Sequence, residues 1–362
     1  MINAELFKRY KKWWPAAFFL LGFFYDILSM GRIDSVFGIV KHGVYLAAIG
    51  AFLSFEILAA SAVFTPQGRL ARIWQYHELA VHFLLGSLLS EYTLFFFVSS
   101  SLWSSLVFLV LIGAILVLNE FKQFKGITGI PIRVALFSIC LVTYFIYLVP
   151  VALGFVGVVP FLLAIVCASL VMFGLYKILK ARGGTQNLVF VLKRNLMIPH
   201  AWVVGVMVAL YFLHLIPPIP VAVRYMGVFH EIKKDQGKYF LGYTRPRWKF
   251  WQKGDQTFLA RAGDRLHCFV RVFSPGRFSD QVQIRWLFDD PRSGWQMADV
   301  IPIAITGGRD EGYRGVTFKS NFQPGDWQIR AETTDGRELG RIYFTVINDA
   351  EVSERLVRYE VQ

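Results

Sequence analysis

Seven apolar runs, each near the length of a membrane crossing, fill residues 14 to 223, and nothing comparable follows them. A hydrocarbon layer about 30 Å thick takes about 20 helical residues to cross, and irregular backbone cannot face lipid. The runs are Trp14 to Met30, Gly43 to Phe64, Leu79 to Ser99, Leu102 to Leu118, Pro131 to Leu153, Val156 to Ile178 and Ala201 to Val223. Only 17% of the chain is charged and 55% is hydrophobic, the balance of an integral membrane protein. The first run follows Lys8, Arg9, Lys11 and Lys12 like a leader peptide, but no small-residue cleavage site comes after it, so it reads as a retained helix.

The loop charges give the bundle a direction. With a cytoplasmic N-terminus, the inside segments hold 14 Lys and Arg, whereas the outside loops hold only Arg32 and Lys41. That asymmetry obeys the positive-inside rule. An odd number of crossings then delivers the C-terminal residues to the outer face, the periplasm of a bacterium with an inner and an outer membrane. The expected location is therefore the bacterial inner membrane, multi-pass, with a periplasmic C-terminal domain.

The formal charge of +13 does not point to nucleic acid. Up to Val223 there are 16 basic and 7 acidic residues (+9), and beyond it 22 and 18 (+4). Most of the excess lies in membrane loops, where it marks topology and contact with the anionic headgroups of the lipid bilayer. Three cysteines without CxxC or Cys/His ligand spacing give no reason to expect a metal, a cofactor or a disulfide framework.

Ionisable groups inside apolar helices cost about 2.5–3.5 kcal/mol each at mid-depth, so Asp26, Glu56, His82 and Glu91 are the intramembrane candidates. Asp26 is followed by Arg32 and Asp34, which suggests a local cluster at the outer surface. His77, Glu78 and His82 resemble a metalloprotease HExxH only superficially. Histidines five residues apart lie about 140° apart on a helix and cannot share a metal from one face.

After Val223 the chain changes character. Residues 224–263 are rich in aromatic and basic side chains, with Arg245, Arg247, Trp248, Lys249 and Trp251 close together, a composition suited to a membrane-lying collar. From 264 to 362 the period becomes two. Leu266, Cys268, Val270 and Val272 alternate with polar residues, as do Val282, Ile284, Trp286 and Phe288, then Trp327, Ile329 and Ala331, then Ile342, Phe344 and Val346. Asp335-Gly336 between two such runs marks a hairpin. The expectation is a membrane α-helical bundle of about seven transmembrane helices (1–223) joined to an all-β immunoglobulin-like sandwich (264–362). Arg265, His267, Arg271, Arg285 and Arg330, with Trp295 and Tyr313, form its candidate ligand face.

The runs Gly22 to Asp26 and Gly31 to Asp34, Gly86 to Ser90, Ile216 to Pro220, Gly307 to Arg309, Pro324 to Trp327 and Asp335-Gly336 resemble an uncharacterised bacterial family. Its members join a multi-helix inner-membrane region to a C-terminal domain of unknown function, and the resemblance brings no activity with it.

No catalytic set stands out. The leading expectation is a non-enzymatic membrane protein whose periplasmic sandwich binds an envelope component, protein or polysaccharide. The rivals are a transporter or lipid-linked glycan enzyme that uses the intramembrane carboxylates, and a scaffold or sensor subunit with a membrane-protein partner. Convergence of Asp26, Glu56 and Glu91 on one cavity would favour the enzyme or transporter.

Overall fold

The computed structural model describes residues 14–29, 35–99, 110, 129–183, 186–276, 278–306, 312–350 and 354–362. They divide into a helical unit, which ends at Ile216, and a β unit, to which Pro217–Gln362 belong.

The helical unit contains α1 (Trp14–Ser29), α2 (Val36–Ala60), α3 (Gly68–Trp74), α4 (His77–Val98), α5 (Ile130–Leu153), α6 (Val158–Gly183), α7 (Gln186–Leu192) and α8 (Ile198–Phe212). Among the described residues, five helices are long and apolar enough to cross a membrane, not seven. They are α2, α4, α5, α6 and the continuous rod Gln186–Phe212. The first expected crossing is a helix of 16 residues, about 24 Å long and short of the hydrocarbon thickness. The fourth, Leu102 to Leu118, falls almost wholly outside the described residues.

Two helix boundaries also differ from expectation. α2 starts at Val36 because Ser35 caps it, its side chain accepting the Gly38 amide at 3.1 Å. Lys41 and His42 therefore lie inside a helix and not in a loop. The last rod starts at Gln186 and stops at Phe212, whereas the hydropathy run suggested Ala201 to Val223. Leu188, Leu192 and Leu196 form a fully buried stripe along its first half, and Lys193 and Arg194 point away from that stripe. A single π turn over Lys193–Met197 precedes Pro199, which lacks an amide hydrogen and would crowd the carbonyl four residues back. After Phe212 the proline run forms a turn, closed by the Val221 amide on the Pro218 carbonyl at 3.0 Å.

α1 and α4 cross at two glycines. A Cβ added at Gly22 would sit 2.1 Å from the Phe83 carbonyl oxygen, and one at Gly86 would sit 2.1 Å from that of Phe19. Only hydrogen side chains allow the two backbones to approach this closely.

Among the described residues, the β unit has eleven strands: β1 (Ala222–Phe229), β2 (Glu231–Asp235), β3 (Lys238–Tyr243), β4 (Thr257–Ala260), β5 (Leu266–Phe273), β6 (Ser279–Asp290), β7 (Gly294–Thr306), β8 (Tyr313–Lys319), β9 (Gly325–Thr333), β10 (Glu338–Asn348) and β11 (Arg358–Val361). A five-stranded sheet, β4-β10-β9-β6-β7, packs on a three-stranded sheet, β1-β5-β8. Their inward side chains, among them Val228, Cys268, Val270, Ile284, Trp286, Ile329 and Phe344, share one core. β9 and β10 pair antiparallel across the expected Asp335-Gly336 turn, with Gly336 at φ +82°. A third sheet, β11-β3-β2, covers the outer face of the smaller sheet through Leu241, Tyr225, Phe229 and Phe269.

The sandwich therefore begins at residue 222 and not at 264. β1 to β4 lie in the stretch expected to form a collar, since Val228, Leu241 and Phe258 are wholly buried. Only the loop between β3 and β4 keeps the collar's character, with Trp248, Phe250 and Trp251 at 63%, 80% and 59% exposure.

Candidate functional site

Among the described residues, Glu56 and Glu91, two of the carboxylates expected inside apolar helices, do not converge. Glu91 on α4 accepts hydrogen bonds on Oε2 from Lys41 Nζ at 2.8 Å and from His42 Nε2 at 2.7 Å. With the Nε2 hydrogen committed to a carboxylate, His42 Nδ1 accepts from the Tyr147 hydroxyl at 2.8 Å. The imidazole sits edge-on to the Tyr92 and Tyr147 rings, with centroids 5.3 and 5.9 Å away. His42 and Glu91 are almost completely buried, 1% and 3% exposed.

Glu56 belongs to a second cluster. Arg133 on α5 donates through Nη2 to Glu56 Oε1 and through Nε to Oε2 at 3.3 Å, while its Nη1 lies 3.9 Å from Glu78 Oε1. His42 and Glu56 are both on α2, 14 residues apart, which places them about 21 Å apart along the helix. His82 donates from Nδ1 to the Glu78 carbonyl at 2.6 Å. Asp26 lies in α1 with its side chain outside the described residues, as are Arg32 and Asp34.

Lys41, His42, Tyr147 and Arg133 were not singled out from the sequence. Lys41 reads as a loop charge in the sequence, and a histidine beside a lysine carries no pattern. The usable signal was Ser35, an N-cap eight residues before Gly43, which would have moved the helix start.

The candidate ligand face divides between two sheets. His267 and Arg271 lie on β5 in the smaller sheet, with Arg265 immediately before that strand, and Arg285 and Arg330 lie on β6 and β9 in the larger. Alternation turns both sets away from the shared core, so they face opposite sides of it. His267 and Arg271 flank Phe269 beneath the third sheet and are half-buried. Arg265 is exposed, over the Phe318 ring at 5.4 Å. Tyr313 is half-buried and packs against the core.

The larger sheet's outer face is different. Arg285, Arg330 and Arg341 are direct cross-strand partners, one row over three adjacent strands. Like charges in register repel, and the next row answers them. Arg285 Nε lies 2.8 Å from Glu332 Oε2, and Arg341 pairs with Glu338. Beside the arginines, Trp295 and Tyr343 reach over the intervening strands to meet edge-on at 5.9 Å, 39% and 51% exposed. Underneath, the outward-pointing Gln328 is wholly buried. Planar guanidinium donors next to tilted aromatic rings can take up a flat, oxygen-rich ligand.

The β3–β4 loop with the exposed aromatics hangs on Asp255. This buried carboxylate accepts the amides of Thr244 and Arg245 at 3.0 and 2.8 Å. Arg245 folds back over the Tyr243 ring at 4.3 Å and Lys253 lies over the Tyr225 ring at 5.2 Å, whereas Lys249 lies over the exposed Trp248 ring at 5.3 Å.

Burial pushes the Asp255 carboxyl up to about 6. Burial and the Arg355 guanidinium, 3.1 Å from Nδ1, push neighbouring His230 down to about 4. Asp255 is stabilising when protonated, a contribution lost as pH rises through about 6. His230 is stabilising when neutral, a contribution lost as pH falls through about 4. Between these values the two slopes oppose one another. Relative to wild type, His230→Gln should lose stability as pH rises from 4 to 6 and Asp255→Asn should gain it, each on the order of 2 kcal/mol. Denaturant midpoints at three pH values measure this; parallel curves would contradict it.

The comparisons with known proteins fall on this same β unit. Residues 279–346 match a family described as protein of unknown function (DUF2914), so a domain of unknown function lies at the C-terminal end. The matched stretch runs from β6 into β10 and includes Arg285, Trp295, Arg330, Arg341 and Tyr343. No curated protein matches the chain. An immunoglobulin-like protein from Pseudomonas aeruginosa is 11% identical, with 35% of this chain and 96% of that one covered at a TM-score of 0.21. A β-glucosidase from Listeria innocua in complex with glucose is 12% identical over 26% of this chain, also at 0.21. The chain spans 15% of the length of that enzyme. At such scores neither likeness carries an argument about function.

Proposed function

We propose that the helical unit anchors the protein in the bacterial inner membrane and that the β unit, an immunoglobulin-like sandwich on the periplasmic side, binds an acidic envelope polysaccharide. The row Arg285, Arg330 and Arg341 beside the exposed Trp295–Tyr343 pair carries this reading. Uronate or phosphate groups suit the guanidinium forks, and sugar rings suit the aromatic faces. The loop charge asymmetry supports the orientation. Trp248, Phe250 and Trp251, with Lys249 between them, suit a lipid headgroup layer. A transporter or enzyme would need its carboxylates to meet, and Glu56 and Glu91 have separate partners.

The test is binding of the full-length protein in detergent to a polyuronate, with a neutral glucan as control. Wild type should retain the acidic polymer only, and Arg330→Ala or the pair Trp295→Ala and Tyr343→Ala should weaken binding about tenfold, the size of one charge-assisted hydrogen bond. Equal retention of both polymers, or variants that bind like wild type, would refute the glycan reading. A protein crosslinked at Trp295 in cells would point to a protein ligand instead.

A further inference from the structure

The second polar cluster of the helical unit has a feature that the glycan reading leaves unused. We propose that Glu56, His77 and Glu78 bind a divalent transition-metal cation. The three offer ligand atoms that all lie within 4.8 Å of one another, from two helices: Glu56 on α2, His77 and Glu78 at the start of α4.

The histidine is prepared for the role. Its Nδ1 donates to the Trp74 carbonyl at 2.6 Å, which puts the ring hydrogen on that nitrogen and the lone pair on Nε2. The imidazole stacks flat on the Trp74 indole, with centroids 4.2 Å apart and planes 8° apart, so its direction is fixed. Nε2 is buried and has no hydrogen-bond partner. A ligating histidine ordinarily has this arrangement, with the far nitrogen tied to a carbonyl and the near one left open.

Arg133 completes the arrangement as an outer partner. Its guanidinium holds Glu56 chiefly at Oε1, leaving Oε2 with a long contact at 3.3 Å. Two carboxylates against one guanidinium leave a surplus negative charge for a cation to meet. Side chains on a tetrahedral ion with bonds of about 2.1 Å stand about 3.4 Å apart, so the cluster must close by roughly 1 Å. Glu78, with 44% of its side chain exposed, has the freedom to close it. One imidazole and two carboxylates suit zinc and its neighbours, with a fourth position left for water. Sequence spacing hid this site because Glu56 is distant in the chain and His82, the apparent second histidine, is not part of it.

Zinc alone is the probe. Full-length protein in detergent, stripped with a chelator, is titrated with Zn2+ against a chromophoric competitor. Wild type should take up one equivalent, and His77→Ala and Glu78→Gln should each weaken binding at least tenfold. His77→Cys, loaded with Co2+, should show a thiolate-to-cobalt absorption band that wild type lacks. No stoichiometric uptake would overturn the proposal, as would variants that bind like wild type, which would mean an adventitious ion only. If His77→Ala does not fold, absence of the cobalt band in folded His77→Cys overturns it. None of these results depends on the glycan experiment.

Discussion

Glu91→Ala should cost the helical unit about 3–5 kcal/mol, the penalty for removing one partner of a buried charge pair. The variant strands Lys41 and His42, which both donate to Glu91 Oε2, among the rings of Tyr92, Tyr147 and Phe95. His42 is 1% exposed and the Lys41 side chain 13%, so the imidazole above all is shut off from water. The decisive comparison is a triple variant, Lys41→Met, His42→Leu and Glu91→Leu, which removes every charge together. Apolar replacement of a complete buried network is close to neutral, so the triple variant should recover most of what the single one loses. Cys140, fully buried in α5, reports on this core by its rate of thiol labelling in a background lacking Cys167 and Cys268. If Glu91→Ala labels no faster than its parent, the network does not hold the helices together.

Trp286→Ala should destabilise the β unit by about 3–5 kcal/mol, and Trp286→Phe by about 1 kcal/mol. Trp286 lies at the centre of the sandwich core, wholly buried and edge-on to Phe344 at 6.3 Å. Its indole Nε1 has no hydrogen-bond partner, so phenylalanine gives up volume and no bond. The difference between the variants thus separates packing from polar satisfaction. Labelling of Cys268, a free and fully buried thiol on β5, follows the unfolding of this unit directly. Equal losses in the two variants would show that the indole nitrogen contributes after all.

Fold class was legible because period and length are local properties. Alternation over Val282 to Phe288 and Trp327 to Ala331 is enough to place β6 and β9, and turn chemistry places the hairpin at Gly336. The collar misled because aromatic and basic residues look alike in a loop at a membrane surface and in the strands of a small sheet. Tyr225 and Tyr239 are core aromatics there, whereas Trp248 and Phe250 are exposed. The candidate site was less legible. Hydropathy placed Glu56 and Glu91 in apolar helices but could not tell whether they met, since that depends on which face of each helix turns toward which neighbour.

By itself, the sequence determined that apolar helices precede a β unit, that its loop charges are asymmetric, and which side chains of each strand face a core. These follow from solvation and backbone geometry acting within about ten residues. Only the tertiary structure decided that Glu91 belongs with Lys41 and His42, that Glu56 belongs with Arg133, His77 and Glu78, and that the arginines of β6, β9 and β10 stand in one row. Strand order and helix rotation set those meetings. Both are fixed by packing among residues far apart in the chain, and no local pattern records them.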